Sequence, residues 1–191
     1  MILASQSPRR RELLSLIADK FTVIPAKGEE RIGDNVPPSE AVKMLARQKA
    51  TEIYSEYKDE TIIAADTVVA IDGEILGKPH SPENAAEMLR KLSGRKHSVF
   101  TGVCVIHHDG ETDVFAEETQ VEFYPLTERE IAEYVATGEP MDKAGAYGIQ
   151  GRGALLVKGI SGDYYNVMGL PVGQLYRVLL GRGAVDGKVF A

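Results

Sequence analysis

A chain that mixes strands and helices is predicted by three features of this 191-residue sequence. Strand-like runs alternate with helical patterns along most of the chain. Residues 61–71, TIIAADTVVAI, are apolar and β-branched on both sides of a central Asp66, as in a strand buried on both faces. Residues 39–57 repeat apolar side chains at three- and four-residue spacing, which defines one face of a helix. The length leaves room for one domain, either undivided or in two lobes, and for a sizeable core.

A content of 43% hydrophobic and 26% charged residues is that of a soluble globular protein. No apolar run approaches the roughly 20 residues that cross a bilayer, and Met1 leads directly into Ile2-Leu3-Ala4 with no basic segment before it. A cytoplasmic protein without a membrane partner is expected. The net charge of −6 speaks against a polynucleotide partner, which normally meets a basic face, and leaves room for a small anion in one basic pocket. The single cysteine, Cys104, has no second thiol for a disulfide or a zinc cluster and reads as a small buried hydrophobe.

Taken in order, Ile2-Leu3-Ala4 is a short strand, and SQSPRRR (residues 5–11) joins it to a helix with Leu13, Leu14, Leu16 and Ile17 inward. Ser7 suits the N-cap and Pro8 the first helical position. Three arginines in the first turn oppose the helix dipole unless an anion offsets them, so the segment is either a phosphate site or a solvated basic helix end. A strand at residues 21–24 precedes a polar loop holding Glu29 and Glu30. Ser39 is the expected cap of the next helix. Lys49 falls on its apolar face, four residues from both Leu45 and Ile53, and either snorkels to an edge or reaches into a cleft. Asp66 needs a cation, a metal or hydrogen-bond donors if its strand is buried, and otherwise ends a strand at a turn.

Asp72-Gly73 marks a hairpin. Gly77-Lys78-Pro79 lacks the spacing of a Walker-type loop, although Lys78 could serve as a point charge for phosphate beside a stiff proline. Ser81-Pro82-Glu83 opens a helix that ends at Ser93-Gly94. Strand patterns at residues 96–107 and 112–124 meet at Asp109-Gly110. His97, His107 and His108 show no metal-ligand spacing and are expected at the surface. Thr127 and Glu130 form a capping box. Residues 138–153, GEPMDKAGAYGIQGRG, hold too many glycines for regular structure and too many apolar residues for a solvated linker, which predicts a packed functional loop. Within it, the amide of Gln150 suits the edge of a nucleobase. A strand at residues 154–157, a turn at 159–163 and a final helix bearing Leu175, Val178 and Leu179 complete the chain.

With these residues in place, the sequence resembles the Maf family of nucleoside triphosphate pyrophosphatases from end to end. The resemblance rests on SQSPRR from Ser5, the second acid of Glu29-Glu30, Ala65-Asp66-Thr67, Gly77-Lys78-Pro79, Leu92-Ser93-Gly94, residues 142–151 and Gly169-Leu170-Pro171. It implies an α/β fold related to inosine triphosphate pyrophosphatases: a long curved mixed β-sheet flanked by helices, with two lobes around a nucleotide cleft. Cleavage between the α and β phosphates is implied as well. Asp66 matches the family's proton acceptor and Glu30 its second essential acid. Ser5, Ser7, Arg9, Arg10, Lys49 and Lys78 match phosphate-contacting or cleft positions.

Arg9, Thr67 and Gln150 match positions linked to substrate choice, and this set resembles the branch acting on dTTP and UTP, with CTP and modified pyrimidine nucleotides as further candidates. The branch acting on 7-methyl-GTP carries an aromatic in place of Arg9 and Gln in place of Thr67. A free aspartate, with a pKa of about 3.9, is a poor base toward water at about 15.7, so a divalent Mg²⁺ or Mn²⁺ held by Asp66, Glu30 and phosphate oxygens is expected to close that gap. An edge strand or the final helix could support a homodimer. A regulator that binds nucleotides without turnover, or a phosphatase releasing orthophosphate, are the rival readings.

Overall fold

The computed structural model describes residues 1–28, 33 and 36–187. Within these residues the strands are β1 (Ile2–Leu3), β2 (Thr22–Val23), β3 (Ile62–Ile71), β4 (Glu74–Leu76), β5 (Lys96–Ile106), β6 (Thr112–Phe123) and β7 (Val157–Ser161). They form one curled mixed sheet in the order β2-β1-β3-β5-β6-β7, with β4 paired to β3 off that path. β1 is parallel to β2 and β3, and the other pairings are antiparallel. The helices are α1 (Pro8–Leu14), α2 (Pro38–Glu56), α3 (Pro82–Leu92), α4 (Glu128–Ala136), α5 (Tyr164–Met168) and α6 (Val172–Gly181). None of them is long and apolar enough to cross a membrane.

β3 organises the sheet as its apolar pattern predicts, since every residue in it is buried except the half-buried Thr67. β5 pairs along one edge of β3, from Ile62 opposite Ile106 to Ala70 opposite Ser98. Two short strands share the other edge: β1 meets Ile62 and Ile63, and β4 meets Val69 to Ile71. Asp66 and Thr67 lie between those partners. The sheet is therefore forked along residues 64–68, with Asp66 at their centre, and the fork opens a cleft.

Local chemistry sets the surrounding pieces. The β3–β4 turn has positive φ at both Asp72 (54°) and Gly73 (78°), the geometry an Asp-Gly hairpin turn requires. Gly102 stands opposite Asp66, and a Cβ there would lie 2.3 Å from the Val42 carbonyl carbon. The backbone of α2 thus rests directly on β5. About two turns further along the helix, the same face carries Lys49 toward β3. Buried clusters flank the sheet: Leu13, Leu14, Leu170, Leu175 and Leu179 on one side of the fork, Leu89, Leu92, Phe123 and Ile131 on the other, and Ala46, Ala50 and Ile53 beneath α2.

Several local expectations need correction. α2 begins with Pro37 at its N-cap and Pro38 in its first turn, without a side-chain cap bond, so Ser39 sits inside the helix. α1 stops at Leu14, which leaves Leu16 exposed while Ile17 turns back into the core. Residues 154–157 are chiefly the end of a 3₁₀ turn (Gly151–Leu156), and β7 occupies part of the expected turn at 159–163. Its outward-facing, edge-strand composition carries no apolar alternation that would mark it as a strand. His97 and His107 are buried, at 4% and 2% exposure. Each ring has a polar partner: His97 Nε2 is 2.7 Å from Tyr147 Oη, and His107 Nε2 is 2.9 Å from Asp113 Oδ2. Cys104 is fully buried, and that burial pushes its thiol up to about 11.

Candidate active site

A cleft of about 920 Å³ occupies the fork. Ser5, Ser7, Arg9, Arg10, Lys49, Asp66, Thr67, Lys78 and Gln150 all line it, although they come from five separate segments of the chain. Glu30 lies outside the described residues. Five cationic side chains (Arg9, Arg10, Lys49, Lys78, Lys143) face three acidic ones (Asp66, Glu139, Asp142) among the described lining residues. A local cationic excess in a chain of net charge −6 favours a polyanionic ligand. Tyr147, Ile149, Val167 and Met168 add apolar wall. A second groove, across residues 5–8, is lined by Arg11, Glu12, Asp19 and Lys20 and lacks Asp66 and Lys49.

Asp66 is 8% exposed, and Lys49 Nζ lies 2.5 Å from its Oδ1. Of the two positions open to Lys49 from sequence, the structure takes the one inside the cleft. The pair satisfies the requirement that a buried carboxylate have company. Asp66 continues the strand and does not cap a turn.

Arg10 is held by three elements. Its Nε donates to the Gly169 carbonyl at 2.8 Å, Nη2 to Thr67 Oγ1 at 2.9 Å and Nη1 to Ser5 Oγ at 3.4 Å. Thr101 Oγ1 donates to the Asn166 carbonyl at 2.9 Å, so the 2.9 Å contact between Thr67 and Thr101 runs with Thr67 as donor. Asn166 then donates to the Val99 carbonyl and to Thr119. This chain ties the guanidinium to β3, β5 and α5. Gly169 follows α5 with φ 110°, a conformation that suits glycine and presents its carbonyl to Arg10. Ser7 caps α1, its Oγ accepting the Arg10 N–H at 3.4 Å, while its own N–H donates to Ser5 Oγ at 3.2 Å.

The opposite wall is the segment at residues 138–153, folded as successive 3₁₀ turns. Arg9 Nη1 is 3.3 Å from Asp142 Oδ2, and Lys143 Nζ donates to Asp142 Oδ1 at 2.6 Å and to the Glu139 carbonyl at 2.7 Å. Burial pushes the Asp142 carboxyl up, but bonding to Lys143 and the charges of Lys143 and Arg9 outweigh it and hold the group below its ordinary value. Lys78 is exposed on the loop after β4, beside the buried Pro79. The Gly145 N–H donates to the Gly77 carbonyl at 3.0 Å and joins that loop to the far wall. Gln150 faces the cleft between buried Ile149 and Gly151.

Lys143, Glu139 and Tyr147 also line the cleft without having been singled out as site residues. The run at 142–151 was visible as a motif, but 3₁₀ turns have no side-chain period that would say which members face inward. Among the described residues no group of three or more His, Cys, Asp or Glu forms a metal cluster. Among the described residues Asp66 is the carboxylate within the fork itself, a donor type that suits a hard cation taking most of its ligands from phosphate and water.

The sheet and its helices define a fold class shared with solved proteins of low sequence identity. The Staphylococcus aureus Ham1 protein matches with a TM-score of 0.55 at 20% identity, covering 95% of this chain and 98% of that one. A HAM1 protein from Coxiella burnetii matches with a TM-score of 0.51 at 16% identity, covering 94% and 98%. Sequence is more specific: the family model described as Maf-like protein matches residues 1–181, and the chain belongs to the Maf family. A dTTP/UTP pyrophosphatase of Bacillus velezensis is 54% identical over 179 residues, 94% of each chain. One from Carboxydothermus hydrogenoformans is 51% identical over 178 residues, 93% of this chain and 95% of that protein.

Proposed function

We propose that this chain is a nucleoside triphosphate pyrophosphatase that hydrolyses dTTP and UTP to the monophosphate and pyrophosphate. The names of its relatives support the substrate, and CTP and modified pyrimidine nucleotides extend the list to be tested. One observation carries the chemistry: a buried carboxylate, Asp66, sits in the fork of the sheet within a cationic cleft, 2.5 Å from Lys49. We also read the chain as one domain of two lobes acting in the cytoplasm, with the exposed edge strand β7 supporting a homodimer.

In this mechanism Asp66 accepts a proton from the water whose oxygen bonds to the α phosphorus, while the bond from that phosphorus to the bridging oxygen breaks and pyrophosphate leaves. Lys49 orients the carboxylate and offsets its buried charge. Arg9, Lys78 and Lys143 face the growing negative charge on the leaving group, and the fixed guanidinium of Arg10 needs no rearrangement to do the same. Gln150 meets the base. Asp66 and Glu30 would supply the carboxylate ligands of a Mg²⁺ or Mn²⁺ beside the substrate phosphates. When present, such an ion acidifies water and neutralises phosphate charge.

The test is chromatography of products from UTP, dTTP, CTP, ATP and GTP with and without Mg²⁺ or Mn²⁺. UMP and TMP with stoichiometric pyrophosphate are expected, and Asp66→Asn should abolish both while leaving the fold intact. Release of orthophosphate, or full activity in that variant, would refute the mechanism.

A further inference from the structure

Residues 148–153 close around one carboxylate. Glu139 Oε1 accepts the Gly153 N–H at 3.0 Å and the Tyr134 hydroxyl at 2.9 Å, and Oε2 accepts the Arg152 N–H at 3.0 Å. The Tyr134 oxygen in turn accepts the Gly148 N–H at 3.2 Å. Both ends of the loop therefore converge on Tyr134 and Glu139, and Gln150 projects from its middle. The approach excludes side chains. A Cβ on Gly151, whose φ is 65°, would stand 2.8 Å from Glu139 Oε2, and one on Gly153 would stand 2.2 Å from the Gly148 carbonyl oxygen. Tyr134 is buried among α3 and α4 side chains and Ile149 packs into the core beside α1 and α6, so the loop is pinned on both sides of Gln150.

We propose that Glu139 is a positioning residue for nucleobase selection: its carboxylate fixes the backbone of residues 148–153 and thereby sets where Gln150 meets the pyrimidine. The proposal rests on the pyrophosphatase reading above and deepens it. Charge separates it from a bland alternative. An acid in the wall of a cleft for a polyanion opposes binding, so neutralising an idle one improves affinity. Neutralising a carboxylate that holds the base-reading loop does the reverse. Burial pushes the Glu139 carboxyl up, but the Gly153 and Arg152 N–H groups and the Tyr134 hydroxyl more than offset it, leaving the group below its ordinary value and ionised at neutral pH.

Glu139→Gln keeps the size and replaces one acceptor with an amide donor that confronts a backbone N–H. KM for UTP and dTTP should rise about tenfold, the scale of one lost hydrogen bond to a charged acceptor, with kcat changing far less and the preference for UTP over GTP narrowing by a similar factor. A lower or unchanged KM with the preference intact overturns the proposal. Exchange of the Gly148, Arg152 and Gly153 amide hydrogens in the ligand-free protein reads the same device without turnover: faster exchange in the variant is expected, and unchanged exchange overturns it. If Glu139→Gln does not fold, Tyr134→Phe, which removes only a hydroxyl, decides by the same measurements. A wild-type protein that hydrolyses no nucleotide refutes the pyrophosphatase reading on its own. Calorimetric affinities of wild type and variant for UTP then replace KM, and equal affinities overturn the role of Glu139.

Discussion

The Lys49 ammonium and the Asp66 carboxylate meet at 2.5 Å, joining the apolar face of α2 to the forked edge of β3. Both side chains are mostly buried, so removing either charge leaves the other in a poorly solvated site. Lys49→Met should destabilise the protein by about 2 kcal/mol, less than the loss at a fully buried pair because some water reaches both groups. The same variant should lower kcat/KM about a hundredfold, the scale of one charged group acting on the transition state. Asp66→Asn should abolish turnover at a smaller stability cost, because the amide oxygen can still accept a hydrogen bond from the Lys49 ammonium. Denaturant melts and steady-state kinetics on the two variants check this. Equal stability with equal activity in Lys49→Met would show that the pair is incidental.

Arg9 and Lys143 share Asp142 at the mouth of the cleft, and in the proposed mechanism this carboxylate would compete with substrate phosphate for both cations. Asp142 is well exposed, so the pairs are worth little to stability. Asp142→Asn should lower KM for UTP by up to about fivefold at low salt, the factor that corresponds to the upper range of an exposed ion pair. The gain should shrink as added salt screens the cleft. Kinetics at two ionic strengths measure it. A raised KM would mean that Asp142 holds Arg9 and Lys143 in their binding positions instead of competing for them. Neutralising Glu139 is expected to move KM in the opposite direction, so the two acids of this wall separate charge from positioning.

Much of this architecture was legible because it depends on local pattern. An ionised residue within the apolar run of β3 marked Asp66, and the three- and four-residue spacing of α2 placed Lys49 on its buried face. Composition marked residues 138–153 as packed. What stayed hidden depends on partners distant in sequence. Glu139 became visible as a loop anchor only when Tyr134, Gly148, Arg152 and Gly153 closed on it. Thr67 and Arg10 were named separately, and only the fold joins them in one hydrogen-bonded chain with Thr101 and Asn166. His97 and His107 were expected at the surface because they lack metal-ligand spacing, but burial came from single partners that spacing does not reveal: the Tyr147 ring 50 residues from His97 and the Asp113 carboxylate beside His107.

His97 supplies a pH dependence that follows from its burial. Its ring packs edge-on against Phe123 and Tyr147, Nε2 contacts Tyr147 Oη, and Nδ1 has no hydrogen-bond partner among the described residues. Burial disfavours the cation and pulls the imidazole down to about 4. In the unfolded chain the ring titrates near its ordinary value of about 6.5. Between these values the unfolded state binds the extra proton, so stability is full above the upper value and falls as pH drops through the window. The integrated loss is about 3 kcal/mol at most. The measurement is the His97 ring resonance in the folded protein, followed by NMR alongside denaturant melts from pH 7 to 4. A ring that stays neutral to about pH 5, with stability falling over the same range, is the expected result. A folded-state titration near the ordinary histidine value would mean that water reaches the ring, and with it that the Tyr147 wall of the cleft is looser than its packing implies.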